Sequence, residues 1–474
     1  MSTFGGLSTA YSGLVAARAG LDVVGQNIAN ANTEGYTRQR VQTSSVPAPA
    51  HTGLFSSGVR PGQGVSVDSI ARLGNLHLDA QVRSSSAASG YQSARADVLA
   101  TVEASLQEPG ENGISDQLQE MWAAWQDLSN RAGEPAAAAL VLSNASVLTT
   151  SLADRYRQVE DEWTNQRSVV DTLGSQLNSA ASQVADLNAA IRSTLSSGGN
   201  ANELIDRRAS LTETIASLAG GAVREKADGT VDVFIGGNAI VTGDSARSVT
   251  VVGTRSLSGA AGSPVALEWT HRPGSPVALD GGRIAGALSV LAPATASGTG
   301  GALAEVAATY NAFATQLAAQ VNAVHSGGAT PSGATGRDFF GFAAGVPAAK
   351  GLTVLPTDAG GIASGAPGAG AVDGSVADAI SQLGVAAGSP DSRWTAFVTT
   401  IAVAAQTEAH HAVLTDVAAT SAKNQQLANS TVDMDEENVN LLTFQQAYQG
   451  AARVMTAVDE MLDVLINRTG LVGR

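Results

Sequence analysis

The chain contains no cysteine, which removes disulfides, thiolate nucleophiles and cysteine-based zinc sites together. The fold must therefore stand on packing and hydrogen bonds in any redox compartment. Aromatic residues are only 4% and charged residues only 15% of 474, while glycine (52 residues), alanine, serine and threonine are abundant. That composition suits long Ala-rich helices and closely packed small-residue strands, and 44% hydrophobic content is enough to fill several cores. Positive charge is short: 27 Lys and Arg against 42 Asp and Glu give a net charge of −15. A phosphate backbone is repelled by such a chain, which excludes nucleic-acid binding. No run approaches the ~18 apolar residues of a membrane span. The opening MSTFGGLSTAYSG also lacks a basic segment followed by a continuous apolar one. Neither membrane insertion nor the general secretory route is expected.

Catalytic patterns are missing too. There is no G-x-x-x-x-G-K-[ST], no G-x-S-x-G and no H-E-x-x-H. His410 and His411 are adjacent and so diverge by about 100° on a helix, a poor metal pair. Asp433, Asp435, Glu436 and Glu437 lack the glycine hinge and distal glutamate of a calcium loop, and read as negative charge at a helix start. The glycines between Gly298 and Gly301 open a helix without a preceding strand, so no dinucleotide-binding unit surrounds them. Trp122 and Trp125 read as core. The expectation is no cofactor, no metal and no catalysis.

What the sequence does carry is a heptad seam at each end. Leu441, Phe444, Tyr448, Ala451, Met455, Val458, Leu462 and Leu465 fall at alternating steps of three and four on one helix face. Leu7, Tyr11, Leu14, Leu21 and Ile28 hold the same frame near the other end, with Arg18 and Gly25 as its weak positions. Such seams suit pairing with each other or with neighbouring copies, so these residues are the candidate subunit-packing surface.

Between the seams the pattern changes twice. Asn30, Asn32 and Gly35 favour left-handed backbone, and Thr33-Glu34-Gly35 reads as a tight turn. Residues 41–75 read as loop and short strands. From about 76 to 218 the pattern is helical, with Pro109-Gly110 as a break and Pro135 opening the longest helix. The stripe Leu148, Leu152, Tyr156, Val159, Trp163, Val170, Leu173, Leu177, Val184, Leu187, Ile191 and Leu195 runs along that helix, and residues 202–220 return as a hairpin. Period-two runs with Asp228-Gly229 and Gly236-Gly237 turns mark strands from 219 onward, with a helical insert near 301–328. The expected class is α+β. Both chain ends form long terminal helices and a rod-like helical bundle, and a β-rich outer part is inserted between them. The expected divisions are an inner unit of 1–45 with 430–474, a rod of 46–218 with 391–429, and an outer domain of 219–390.

The stretch GLDVVGQNIANANTEGYTRQRV, residues 20–41, resembles the N-terminal signature of the flagellar rod, hook and hook-associated proteins. The residues carrying it are Asn27, Ile28, Ala29, Asn30, Asn32, Thr33, Gly35 and Tyr36, and the following Thr37-Arg38-Gln39 is similar to the branch that sits between hook and filament. NVNLLTFQQAYQGAARVMTAVDEMLDVLIN resembles the family's C-terminal helix, and blocks such as NELIDRRASLTETIASL and DGTVDVFIGGNAIVTG look like its middle. The segment Asn130 to Pro135 departs from the shorter turn usual there, and the chain is shorter than many relatives.

The resemblance implies a non-catalytic structural subunit of the bacterial flagellum, placed outside the cell, joining hook to filament in a ring of copies. It also implies three further partners: the hook protein, a second junction protein toward the filament, and a cytoplasmic export chaperone on about residues 436–468. Export would run through the flagellar type III apparatus. An extracellular or phage-tail-like assembly protein would share the long helices without needing the signature, and a glycan-acting enzyme would need paired carboxylates in a cleft of the outer part.

Overall fold

A 27-residue helix, α1 (Thr3–Ala29), leads into an antiparallel pair of strands, β1 (Gln39–Ser45) and β2 (Val65–Arg72). The computed structural model describes residues 3–48 and 62–464. Four helices follow: α2 (Leu76–Leu106), α3 (Ile114–Asn130), α4 (Pro135–Ser196) and α5 (Asn202–Ala219). Pro135 stands in the first turn of α4, where its missing N–H has no helical partner to lose. With 62 residues, α4 is roughly 90 Å long.

Strands then alternate with short helices. β3 (Ala222–Glu225), β4 (Val231–Ile235), β5 (Asn238–Thr242) and β6 (Ser245–Ala246) form one antiparallel sheet in that order. β7 (Val249–Val252), β8 (Ala266–Trp269) and β9 (Arg272–Pro276) form a second. Helices α6 (Gly282–Leu291) and α7 (Ala302–His325) come next. β10 (Phe340–Phe342) pairs with β11 (Leu352–Val354) across the short helix α8 (Ala348–Gly351). The chain returns through α9 (Ser375–Ser381), α10 (Pro390–Ser430) and α11 (Met434–Asp463). This is the expected α+β class, with long helices at both ends and a central β-containing region.

The spine is α4, which packs against α3, α5, α6 and α7 and carries the sheets on its outer half. Its stripe is buried from Leu148 to Ile191, except that Leu187 is half-buried, and Leu195 is exposed near the helix end. Two asparagines on α4 fasten the sheets. Asn178 exchanges two hydrogen bonds with the backbone of Val249, each 2.8 Å. Asn188 donates to the carbonyl of Val231 and accepts from its N–H. Gly174 lets β7 approach, since a Cβ there would stand 3.3 Å from Val251. Among the described helices, α4 alone is long and apolar enough to cross a bilayer, but its buried side chains are this protein's core. The sequence pattern did not reveal α6, which is short and separated from α7 by a glycine-rich loop. Trp122 and Trp125 lie in the core as expected; Trp125 stacks edge-on with Phe339.

A candidate assembly site at the terminal helices

α1 and α11 form an antiparallel coil. Gly6 lies beside Val458, Gly13 beside Ala451 and Gly20 beside Phe444, while Asn27 hydrogen-bonds Glu437. Each step of seven along α1 thus matches a step of seven back along α11, the signature of a heptad seam. Ala10, Ala17 and Val24 fill the intervening positions and are buried. The α1 side of the seam is therefore made of small residues, and at Gly20 a Cβ would stand only 2.4 Å from the Phe444 ring. Small residues let the helices approach closely over the larger side chains of α11.

The frame of large residues on α1 occupies the neighbouring row, one residue further along. Leu7, Leu14, Leu21 and Ile28 are half-buried, and Tyr11 is 59% exposed. Pairing of that row with the C-terminal seam is thus corrected: bulky side chains there would hold the helices apart. On α11 Val458 is buried, Leu441, Phe444, Ala451, Met455 and Leu462 are half-buried and Tyr448 is 38% exposed. Leu465 lies outside the described residues. The paired coil consequently retains an apolar ridge of Leu7, Tyr11, Leu14, Leu21 and Ile28 along its flank.

At its base the coil joins the body through a polar hub centred on Asn27, whose side chain is 1% exposed. Its amide nitrogen donates to the Gln39 carbonyl at 2.9 Å and to Glu437 at 3.1 Å. Its amide oxygen accepts from the Tyr36 hydroxyl at 2.9 Å and from the Gln39 N–H at 3.0 Å. All four bonding positions of the amide are filled, as a buried side chain requires. Gly35, with φ of 77°, completes the turn that brings Tyr36 back to Asn27, and the Tyr36 N–H bonds the Thr33 carbonyl. Asn30 and Thr33 bond each other, which braces the turn. Asn32 is exposed, as is Ala29 at the helix end.

Charged groups then extend the hub. Arg38 donates to Glu436 and to Glu437 at 2.7 Å, and Glu437 is 1% exposed. The hydrogen bond that Arg38 donates to Glu436 raises the pKa of Arg38, and Arg38 lowers that of Glu436. The Thr37 N–H and Arg72 both bond Asp206 on α5, and Asn202 donates to Gln39 and to the Ile70 carbonyl. Burial first, and then the carboxylates of Asp206, Glu203 and Glu437, push the Tyr36 hydroxyl up to about 12, so it stays a neutral donor. Asp433 caps α11 by accepting from the N–H groups of Asp435 and Glu436, the helix-start role expected of that acidic run. The ion pairs of Glu436 and Glu437 with Arg38 escaped the sequence reading, as did Asp206 and Asn202. The NTEGYTR stretch offered a signal, since it places a cation two residues after the half-buried Tyr36. Among the described residues no group of three or more metal-ligating side chains occurs, and His410 and His411 are solvent-exposed.

The helical domain of the flagellar hook-associated protein FlgK matches residues 99–340, more than half of the chain. The chain belongs to the FlgK family. The flagellar basal body rod protein model matches residues 7–37, and the C-terminal model of the FlgEFG rod proteins matches residues 423–468. This FlgK-family chain is 29% identical over its full length to flagellar hook-associated protein 1 of Bacillus subtilis, also over the full length of that protein. It is 27% identical to flagellar hook-associated protein 1 of Escherichia coli, over 52% of this chain and 44% of that one. The flagellar hook junction protein FlgK of Burkholderia pseudomallei has a similar fold, with a TM-score of 0.64 at 15% identity, covering 73% of this chain and 99% of that one. The chain is thus a structural protein of the bacterial flagellum. Both rod-family matches fall on α1 with its turn and on α11, the elements of the coil and hub.

Proposed function

We propose that the chain is the subunit that joins the hook to the filament, packed in a ring of copies by its terminal helices. One observation carries this reading. The coil of α1 and α11 is already paired by a small-residue seam, yet its flank still shows the ridge Leu7, Tyr11, Leu14, Leu21 and Ile28. An apolar row left on a paired coil suits burial against neighbouring subunits. The seam residues Leu441 to Leu462 then hold the coil together, while the signature residues Asn27 to Tyr36 fix it to the body. In this reading 1–45 with 430–474 is the inner unit, 46–218 with 391–429 the rod and 219–390 the outer domain. The hook protein and a second junction protein are its axial neighbours outside the cell. It leaves by the type III route with a chaperone over about residues 436–468.

Deletion and complementation test the function. Flagella of a strain lacking the chain should show hooks without filaments in negative stain. The wild-type chain should restore filaments, and Leu14→Asp should not, although its thermal melt stays near wild type. A charge in a dry ridge costs roughly several kcal/mol. Filaments on the deletion strain, or normal filaments with Leu14→Asp, would contradict the proposal.

A further inference from the structure

A pocket of about 290 Å³ opens between α2, α5 and β3 and shares Arg72 with the polar hub. Asp79, Ala80 and Arg83 of α2 line it together with Arg208, Ala209 and Thr212 of α5, in the same helical spacing, so each helix turns one face to it. Some of its charges are engaged. Arg72 is held by Asp206, and Asp79 accepts from Gln426 of α10 at 2.6 Å. The exposed Arg224 reaches Asp232 and lies over the Phe234 ring. Two cations are left without a carboxylate. Arg208 is 5% exposed; its Nη1 donates to the Asn188 side chain and to the Gly229 carbonyl, while its Nε and Nη2 bond nothing among the described residues. Arg83 is half-buried and makes neither hydrogen bond nor ion pair there. Burial lowers the pKa of both, that of Arg208 to about 10, and the attraction of the exposed Glu225 offsets this only in part.

We propose that this pocket binds a small oxyanion, a phosphate group either free or carried on a small ester, between Arg83 and Arg208. A guanidinium taken out of water without a carboxylate costs stability that a bound oxyanion restores, and the planar arginine fork fits phosphate oxygens in pairs. The chain's net charge of −15 repels a long polyanion, but a small ion meets a lining in which Arg72, Arg83, Arg208 and Arg224 outnumber Asp79 and Glu225. Ala80, Ile205 and Val223 wall the rest of the space, which is apolar room for a short organic body. Occupancy also braces the hub, because Arg72 ties the pocket to Asp206, which holds the Thr37 N–H.

Calorimetry and thermal melts of the full chain test this, with inorganic phosphate and glycerol 3-phosphate as probes against chloride at equal ionic strength. Phosphate should bind saturably at millimolar concentration or below and raise Tm by mass action on the folded state. Arg83→Gln should weaken binding about tenfold or more. Its melt without phosphate should stay near wild type, because Arg83 holds no other group. Arg192→Gln removes the same charge from an exposed pair with Asp244 and should leave binding unchanged. Tighter binding of glycerol 3-phosphate supports an ester as the ligand, and equal binding supports the free ion. Absence of saturable binding by either probe, or equal losses in Arg83→Gln and Arg192→Gln, overturns the inference.

Discussion

At Asn27 four hydrogen bonds meet in a site closed to water, and no other side chain of its size supplies two donors and two acceptors in that geometry. Asn27→Ala should destabilise the hub by about 2 kcal/mol, because the Gln39 backbone and Glu437 lose partners without gaining solvent. Hydrogen exchange would show it as faster exchange at the α1 and α11 bases, with α4 unchanged. The sequence marked Asn27 and Tyr36 through the family signature. It could not say that they bond each other, nor that Glu437 and Asp206 join them across 399 and 169 residues from Arg38 and Thr37. Such pairs depend on the tertiary path and leave no periodic trace.

A second residue governs pH response. His325 is fully buried on α7, its Nδ1 2.7 Å from the Arg337 carbonyl while its Nε2 accepts from the Ala363 N–H. Burial lowers its pKa below 6.5, so the folded state holds the neutral ring and the unfolded state takes up the proton first. This contribution is full above pH 6.5 and is lost as pH falls below it. Thermal melts should therefore drop on acidification below pH 6.5, and more steeply for wild type than for His325→Gln.

The helix pair shows how spacing and size carry different information. On α11 the large residues announced the seam, because that helix supplies the bulk of the interface. On α1 the bulky row drew attention, yet the contact row is Gly6, Ala10, Gly13, Ala17, Gly20 and Val24, whose small side chains barely register in an apolar pattern. Close packing of two helices needs one small face, and a hydrophobicity count is blind to it. Two glycines of α1 separate these roles. Gly20→Val should force the coil apart, at a cost of about 1–3 kcal/mol, since the added carbons meet the Phe444 ring. Gly25→Ala meets nothing within 4 Å and should stabilise the helix by up to about 1 kcal/mol. Opposite shifts in hydrogen-exchange protection of α11 would check both. The strands were legible where glycine turns punctuated them, whereas the fastening of sheets to α4 through Asn178 and Asn188 was not.

Across the whole molecule the chain runs out along α2 to α5, turns through the sheets, and returns by α10 to lay α11 on α1. That path was legible from the order of helical, strand and helical patterns along the chain. The division of labour on the coil was not: one row closes it within the subunit and another remains for neighbours. The most direct test is a cryo-electron microscopy map of the flagellar segment between hook and filament at side-chain resolution. The account predicts α1 and α11 of the same copy paired antiparallel, Gly20 against Phe444, with Leu7, Tyr11 and Leu14 buried against the next copy. A map in which α11 pairs with α1 of a neighbour, or in which that ridge faces water, would contradict it.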